Sequence, residues 1–197
     1  MSRFVTTNRP ANSVNCMVRP RVRISVFTCI FALAAALGAG ATVALESDWV
    51  PKLSGWVNDT AGVLAVAERE RIAGTLEKYH QETHHQFVVL IIPSLGEEKI
   101  ETFSLRTANV WGLGNKGFDD GILITLAMKE RRARIELGKG MERFISDADA
   151  KQILETEMTP LFAKKDFAGG LERGLERLMD EGRRFVVEIG PAPKQLK

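Results

Sequence analysis

Seven consecutive residues, Gln86-Phe87-Val88-Val89-Leu90-Ile91-Ile92, form an apolar, β-branched run that Pro93 stops. Successive side chains of a strand point to opposite faces, so an unbroken apolar run needs cover on both. Ile122-Leu123-Ile124-Thr125-Leu126-Ala127 repeats the pattern. Arg132-Ala133-Arg134-Ile135-Glu136-Leu137 instead alternates polar with apolar, as a strand with one wet face does. The charged stretch Met128 to Arg131 joins these last two as a hairpin. Strands of this kind require helices on both sides of the sheet.

The helices are legible from 3.6-residue periodicity. One runs from about Val66 to Thr83, with Ile72, Leu76 and Tyr79 on a shared face. A second spans about Ile100 to Trp111, with Ile100, Phe103, Thr107 and Trp111 aligned. Ser146 caps a third from about Asp147 to Leu161, with Asp149 three residues on, as in a capping box. Asp166 caps a fourth that runs to about Val187 and carries Phe167, Leu171, Leu175, Leu178 and Met179. Gly190-Pro191 stops it. The lead-in from Asp48 to Thr60 reads as extended chain with turns. The expected order is α-β-α-loop-β-β-α-α, a three-layer α/β/α sandwich with a mixed sheet.

Ahead of this domain, residues 1–45 contain five arginines and no acidic residue. Removing them from the 27 Lys and Arg leaves 22 against 25 acidic residues, so the domain is mildly acidic. A domain without net positive charge lacks the electrostatic footprint of a nucleic-acid binder. Arg19, Arg21 and Arg23 precede an uncharged run from Ile24 to Leu45 that ends in small residues. Basic, then apolar, then small is the plan of a secretory signal. Ala39-Gly40-Ala41 and Thr42-Val43-Ala44 offer cleavage sites, and Met17 offers an alternative start. The same run is close to the ~20 residues that span a bilayer, so an uncleaved anchor through residues 24–45 is the competing reading. Either places the domain in the periplasm or another extracytoplasmic space, free or tethered to the inner membrane. Both cysteines, Cys16 and Cys29, lie in the leader, which excludes thiol catalysis and cysteine-based zinc sites downstream. The expected organisation is a signal peptide or anchor over 1–45, one domain over 46–188 and a loose tail over 189–197.

Gly112-Leu113-Gly114-Asn115-Lys116-Gly117-Phe118-Asp119-Asp120-Gly121 carries the strongest chemical signal, with four glycines and two adjacent carboxylates. Such glycines allow positive φ and close backbone approach. Asp59 stands in a turn before the first helix, and Asp147 begins the third. Carboxylates brought together repel unless neutralised, and oxygen-only ligands favour Ca²⁺ or Mg²⁺. Asp59, Asp119, Asp120 and Asp147 are therefore candidate metal ligands; turn, cap and polar-loop roles are the alternative. His80, His84 and His85 cluster at the end of the first helix, where an i, i+4 pair suits either a metal or a polar helix terminus. No nearby carboxylate completes a ligand motif, which favours the terminus.

Several strings match one family in register. Val57-Asn58-Asp59-Thr60-Ala61-Gly62-Val63-Leu64 resembles the opening V-N-D-x-A-x-V-L of the TPM domain family. Ile92-Pro93-Ser94-Leu95-Gly96, Trp111 to Gly121, Arg134-Ile135-Glu136-Leu137-Gly138-Lys139-Gly140 and Asp166-Phe167-Ala168-Gly169-Gly170 resemble later segments of its pattern, so the likeness covers about Val57 to Met179. Asp120 replaces the usual Asn and Lys139 the usual Tyr, and Phe144 departs from the small residues expected there. The C-terminal membrane helix and glycine-rich tail of many bacterial relatives have no counterpart in this sequence, so anchoring is expected from the leader. The family includes a thylakoid-lumen acid phosphatase and bacterial envelope proteins. The resemblance implies the α/β fold, an acidic cleft able to hold Ca²⁺ or Mg²⁺, and one of two roles. The first is an accessory, assembly or quality-control module for an envelope membrane protein complex. The second is a metal-dependent acid phosphatase acting on phosphomonoesters. Neither a phosphate-cradling P-loop nor a C-x₅-R or D-x-D-x-T nucleophile motif occurs in the sequence.

Overall fold

A computed structural model describes residues 49–190. The leader and the C-terminal tail expected over 189–197 fall largely outside them; the cleavage sites and the anchor lie wholly outside. Among the described residues, no helix is long and apolar enough to cross a membrane.

The chain forms β1 (Val57–Asp59), α1 (Val66–Thr83), β2 (Gln86–Ile92), α2 (Ile100–Trp111), β3 (Gly121–Ala127), β4 (Arg132–Leu137), α3 (Asp147–Ile153), a π-helical turn (Leu154–Met158), α4 (Thr159–Ala163) and α5 (Phe167–Ile189). The sheet order is β1-β2-β3-β4. The first three strands are parallel and β4 is antiparallel to β3, so the sheet is mixed as expected. In register, Asp59 lies opposite Ile91, and Gln86 opposite Gly121.

The two faces of the sheet are covered unequally. Val89, Ile91, Ile122 and Ile124 pack with Ile72, Leu76 and Tyr79 of α1 and with Leu171, Leu175 and Leu178 of α5. Val88, Leu90, Ile92 and Leu123 pack with Ile100 and Phe103 of α2. Alternate residues of the two apolar runs thus go to opposite cores, as their lack of alternation requires. The strands β1, β2 and β3 step the same way across the sheet, yet α1 and α2 cover opposite faces. The two crossovers therefore have opposite hands, and one departs from the right-handed rule.

Two elements differ from the sequence reading. The lead-in contributes β1, a three-residue edge strand too short for periodicity to reveal. The expected third helix is interrupted by the π-helical turn. Pro160 lacks the N–H that a regular helix would use, and its ring would crowd the carbonyl four residues back. The strain is taken up one step earlier, where both the N–H and the hydroxyl of Thr159 donate to the Leu154 carbonyl. The caps at Ser146 and Asp166 form as expected, each accepting the N–H three residues on.

Candidate functional site

The glycine-rich loop between α2 and β3 is folded around its own carboxylate. Asp120 is fully buried. Its carboxylate accepts the Asn115 backbone N–H at 2.6 Å and the Asn115 side-chain amide at 3.0 Å. That amide also donates to the His84 carbonyl at 2.8 Å, tying the loop to the end of α1. The Asn115 carbonyl in turn accepts N–H groups from Phe118 and Asp119 at 2.9 Å each. A buried carboxylate is costly unless hydrogen-bonded, and these contacts supply the bonds.

Behind the loop lies a polar pair, Tyr79 and His85, which the sequence reading named separately, one on the apolar face of α1 and one in the histidine cluster at its end, without joining them. The His85 ring is fully buried, with Nδ1 3.0 Å from the Tyr79 hydroxyl and Nε2 3.9 Å from Asp120 Oδ2. Phe87 stacks near its plane and Phe185 meets it edge-on at 4.9 Å. Desolvation in this apolar cage holds the His85 pKa below the ordinary 6.5, against the opposing pull of Asp120. A neutral ring that accepts the Tyr79 hydroxyl at Nδ1 carries its proton on Nε2, facing Asp120. Burial likewise raises the Tyr79 pKa. What sets His85 apart from His80 and His84 in the sequence is its position directly before a buried strand.

The two glycines just after β4 meet the backbone of the acidic loop. A Cβ on Gly138 would strike the Asp119 carbonyl oxygen, and one on Gly140 the Phe118 carbonyl oxygen. Gly138 and Gly140 donate N–H groups to Gly121 and Asp119, at 2.8 and 3.0 Å. The R-I-E-L-G-K-G segment is thus a bed on which the acidic loop rests.

The four candidate aspartates differ in setting, and Asp59 stands apart from the acidic loop. Asp59 sits at the C-terminal end of β1, opposite Ile91, whereas Asp120 precedes the start of β3, opposite the beginning of β2. Six residue steps along β2 separate these levels, roughly 20 Å at about 3.3 Å per residue. The Asp59 carboxylate is already engaged, accepting N–H groups from Ala61, Gly62 and Leu64 at 3.1, 2.8 and 2.9 Å. Asp147 is exposed in the first turn of α3. Asp119 is exposed, with a φ of 48°, and lines a cleft of about 300 Å³ with Glu136 and Lys139. Glu136 is itself held by Arg134 at 2.7 Å. The fold does not bring Asp59 to the loop, and no group of three or more His, Cys, Asp or Glu able to hold an ion occurs among the described residues. His80 and His84 are ring neighbours at 6.2 Å, with the His80 Nδ1–H donating to the His85 carbonyl at 2.9 Å.

Chemically, the loop presents one exposed carboxylate, and its partner carboxylate is sealed inside. Nothing among the described loop contacts pairs a nucleophile with a base.

A family model described as the TPM domain matches residues 57–181. No curated protein matches the sequence significantly. Among solved structures, the chain is similar to the N-terminal domain of a protein from P. gingivalis, with 29% identity and a TM-score of 0.60 over 71% of this chain and 87% of that one. It is also similar to the BA42 protein of the psychrophilic bacterium Bizionia argentinensis, at 18% identity and a TM-score of 0.56, covering 66% and 86%. A third likeness is to the N-terminal domain of cg2496 from Corynebacterium glutamicum, at 16% identity and a TM-score of 0.52, covering 68% and 84%. The last two bear on the fold alone.

Proposed function

This chain belongs to the TPM domain family, and on that premise we propose that it works as a binding module, an accessory or quality-control factor for an envelope membrane protein complex, rather than as a phosphatase. One observation carries the reading: Asp120 is buried and bonded to Asn115, so the loop's carboxylate pair does not face a substrate together. General acid–base or nucleophilic work needs groups within reach of the reacting atoms. Asp59 and Asp120 instead hold local structure at opposite ends of the strands. The leader read from residues 1–45 supports an extracytoplasmic setting, reached by export or kept by anchoring.

Ca²⁺ or Mg²⁺ enters this proposal at the acidic loop, where the exposed Asp119 is the carboxylate an ion would meet first. Any cation-induced rise in melting temperature is then abolished by Asp119→Asn and retained in Asp59→Asn. The enzymatic alternative is tested with p-nitrophenyl phosphate, with and without Ca²⁺ or Mg²⁺. The expected result is no turnover above background. Saturable turnover that Asp119→Asn removes while leaving the melting temperature intact would establish the phosphatase instead. Cross-linking in membranes is expected to recover one specific protein complex, and recovery of none counts against the module.

A further inference from the structure

The α2 face of the sheet is roofed by a single helix, and past the end of that helix a cleft of about 740 Å³ opens. Its floor is Val88 and Leu113, and its walls come from the lead-in, the end of α1 and the end of α2. The volume falls within the about 300–1,000 Å³ of small-molecule sites. Two indoles, Trp56 and Trp111, line it, and no Asp, Glu, Lys or Arg does. The acidic loop's carboxylates belong elsewhere.

The cleft is held in shape before any ligand arrives. The Trp111 indole N–H donates to the Pro51 carbonyl at 2.8 Å. Trp56 packs on the His80 ring, with centroids 4.9 Å apart and planes inclined at 43°. The His80 Nδ1 lies 2.9 Å from the His85 carbonyl. A carbonyl can only accept, so Nδ1 carries a proton, and Nε2 is left as the ring's second polar atom. Gln86 accepts the Gly114 N–H at 3.1 Å through Oε1, which leaves its amide hydrogens to donate. Gln81 adds one further donor group and one acceptor to the wall.

We propose that this cleft, between Trp56 and Trp111, binds a neutral carbohydrate, with a pyranose ring laid against an indole and its hydroxyls paired with Gln81, Gln86 and His80. An indole presents a flat, electron-rich face to the C–H face of a sugar. A hydroxyl is both donor and acceptor, and the cleft offers both kinds of partner, with Gln86 and His80 held by hydrogen bonds of their own. An anionic ligand such as a phosphomonoester finds no Lys or Arg among the lining residues to pair with, and burying it unpaired is costly. A quaternary ammonium would favour the aromatic walls but finds no carboxylate. Ordered walls reduce the entropy lost on binding. The assignment is independent of the module reading and of any cation at Asp119.

The test titrates the full chain with cellotetraose, maltotetraose and N,N′-diacetylchitobiose, following indole N–H resonances by NMR and heats by calorimetry. The expected result is saturable movement of the Trp56 and Trp111 signals with at least one sugar, while Trp49 stays still. Trp111→Ala and Trp56→Ala are each expected to weaken binding about tenfold or more, as loss of an aromatic surface does. If a tryptophan variant loses its fold, Gln86→Ala and Gln81→Ala carry the test, with losses of roughly three- to tenfold. Sugars that leave both indoles unmoved overturn the proposal. So does binding unaffected by all four variants, or a cleft filled by choline, phosphate or a proline-rich peptide in preference to every sugar.

Discussion

Asp59 accepts three backbone hydrogen bonds, and Asn58 beside it accepts the Ser54 N–H at 2.7 Å while donating to Gly55 at 2.8 Å. The V-N-D string that opens the domain is therefore a double clamp, fastening the turns on either side of β1. Removing a carboxylate that satisfies several N–H groups leaves those donors without partners. Asp59→Ala is expected to lower stability by about 1–3 kcal/mol in urea unfolding, with no effect on ligand binding in the Trp56–Trp111 cleft. His85 makes a second prediction at this scale. Its folded-state pKa lies below the unfolded value near 6.5, so between the two the unfolded chain binds more protons. Stability is therefore full above about pH 6.5 and falls as pH drops toward the folded pKa, by at most about 1.4 kcal/mol per pH unit. The groups facing the ring are the Tyr79 hydroxyl, the Asp120 carboxylate, Phe87 and Phe185, with His80 and His84 disfavouring its charge. Melting temperatures measured from pH 8 to 5 are expected to decline, and His85→Gln to flatten the decline. At this scale the sequence told where carboxylates stand but not what they touch. Asp119 and Asp120 are chain neighbours, yet one is exposed and the other sealed, because only Asp120 meets the Asn115 amide.

The main helices and the three longer strands were legible because each carries a long periodic or apolar signal. What escaped are the places where tertiary contact decides. The π-helical turn lies just before Pro160, and Met158 at its end is fully buried against α5. A Cβ on Gly174 would strike the Met158 side chain, and one on Gly182 the Tyr79 hydroxyl. These glycines look like helix defects in the sequence, since alanine is favoured by about 1 kcal/mol in a helix interior. In the fold they let α5 lie close against its neighbours. Gly182→Ala tests which effect wins. Tyr79 is buried and its hydroxyl is tied to His85, so it has little room to yield. Overpacking of this kind costs about 1–3 kcal/mol and exceeds the propensity gain. Gly182→Ala is expected to lower the unfolding midpoint, whereas Gly74→Ala in α1, where an added Cβ meets nothing within 4 Å, is expected to raise it or leave it unchanged.

At the scale of the molecule, periodicity revealed which residues are buried but not which helix covers which face, and so not the opposite hands of the two crossovers. Nor did it reveal that the α2 face carries one helix against several on the other. That imbalance gives the lead-in a purpose that its turn-rich sequence concealed. Pro51 is buried and accepts the Trp111 indole N–H, the Trp49 carbonyl accepts from Arg106 at 3.3 Å, and Ser54 bonds to Asn58. Residues 49–55 thus strap the exposed flank of α2 and form one wall of the cleft. Both hydrophobic cores, by contrast, are built from residues between Trp56 and Phe185. A chain beginning at Glu46 is expected to unfold cooperatively at the melting temperature of the full protein. A chain beginning at Trp56 keeps both cores but loses the strap, and is expected to melt several degrees lower. A loss of about 1–2 kcal/mol from the missing hydrogen bonds corresponds to that shift in a domain of this size. Equal melting temperatures for the two truncations would mean that the strap is not what closes this flank. Loss of cooperative unfolding in the longer one would mean that the domain needs residues before Glu46.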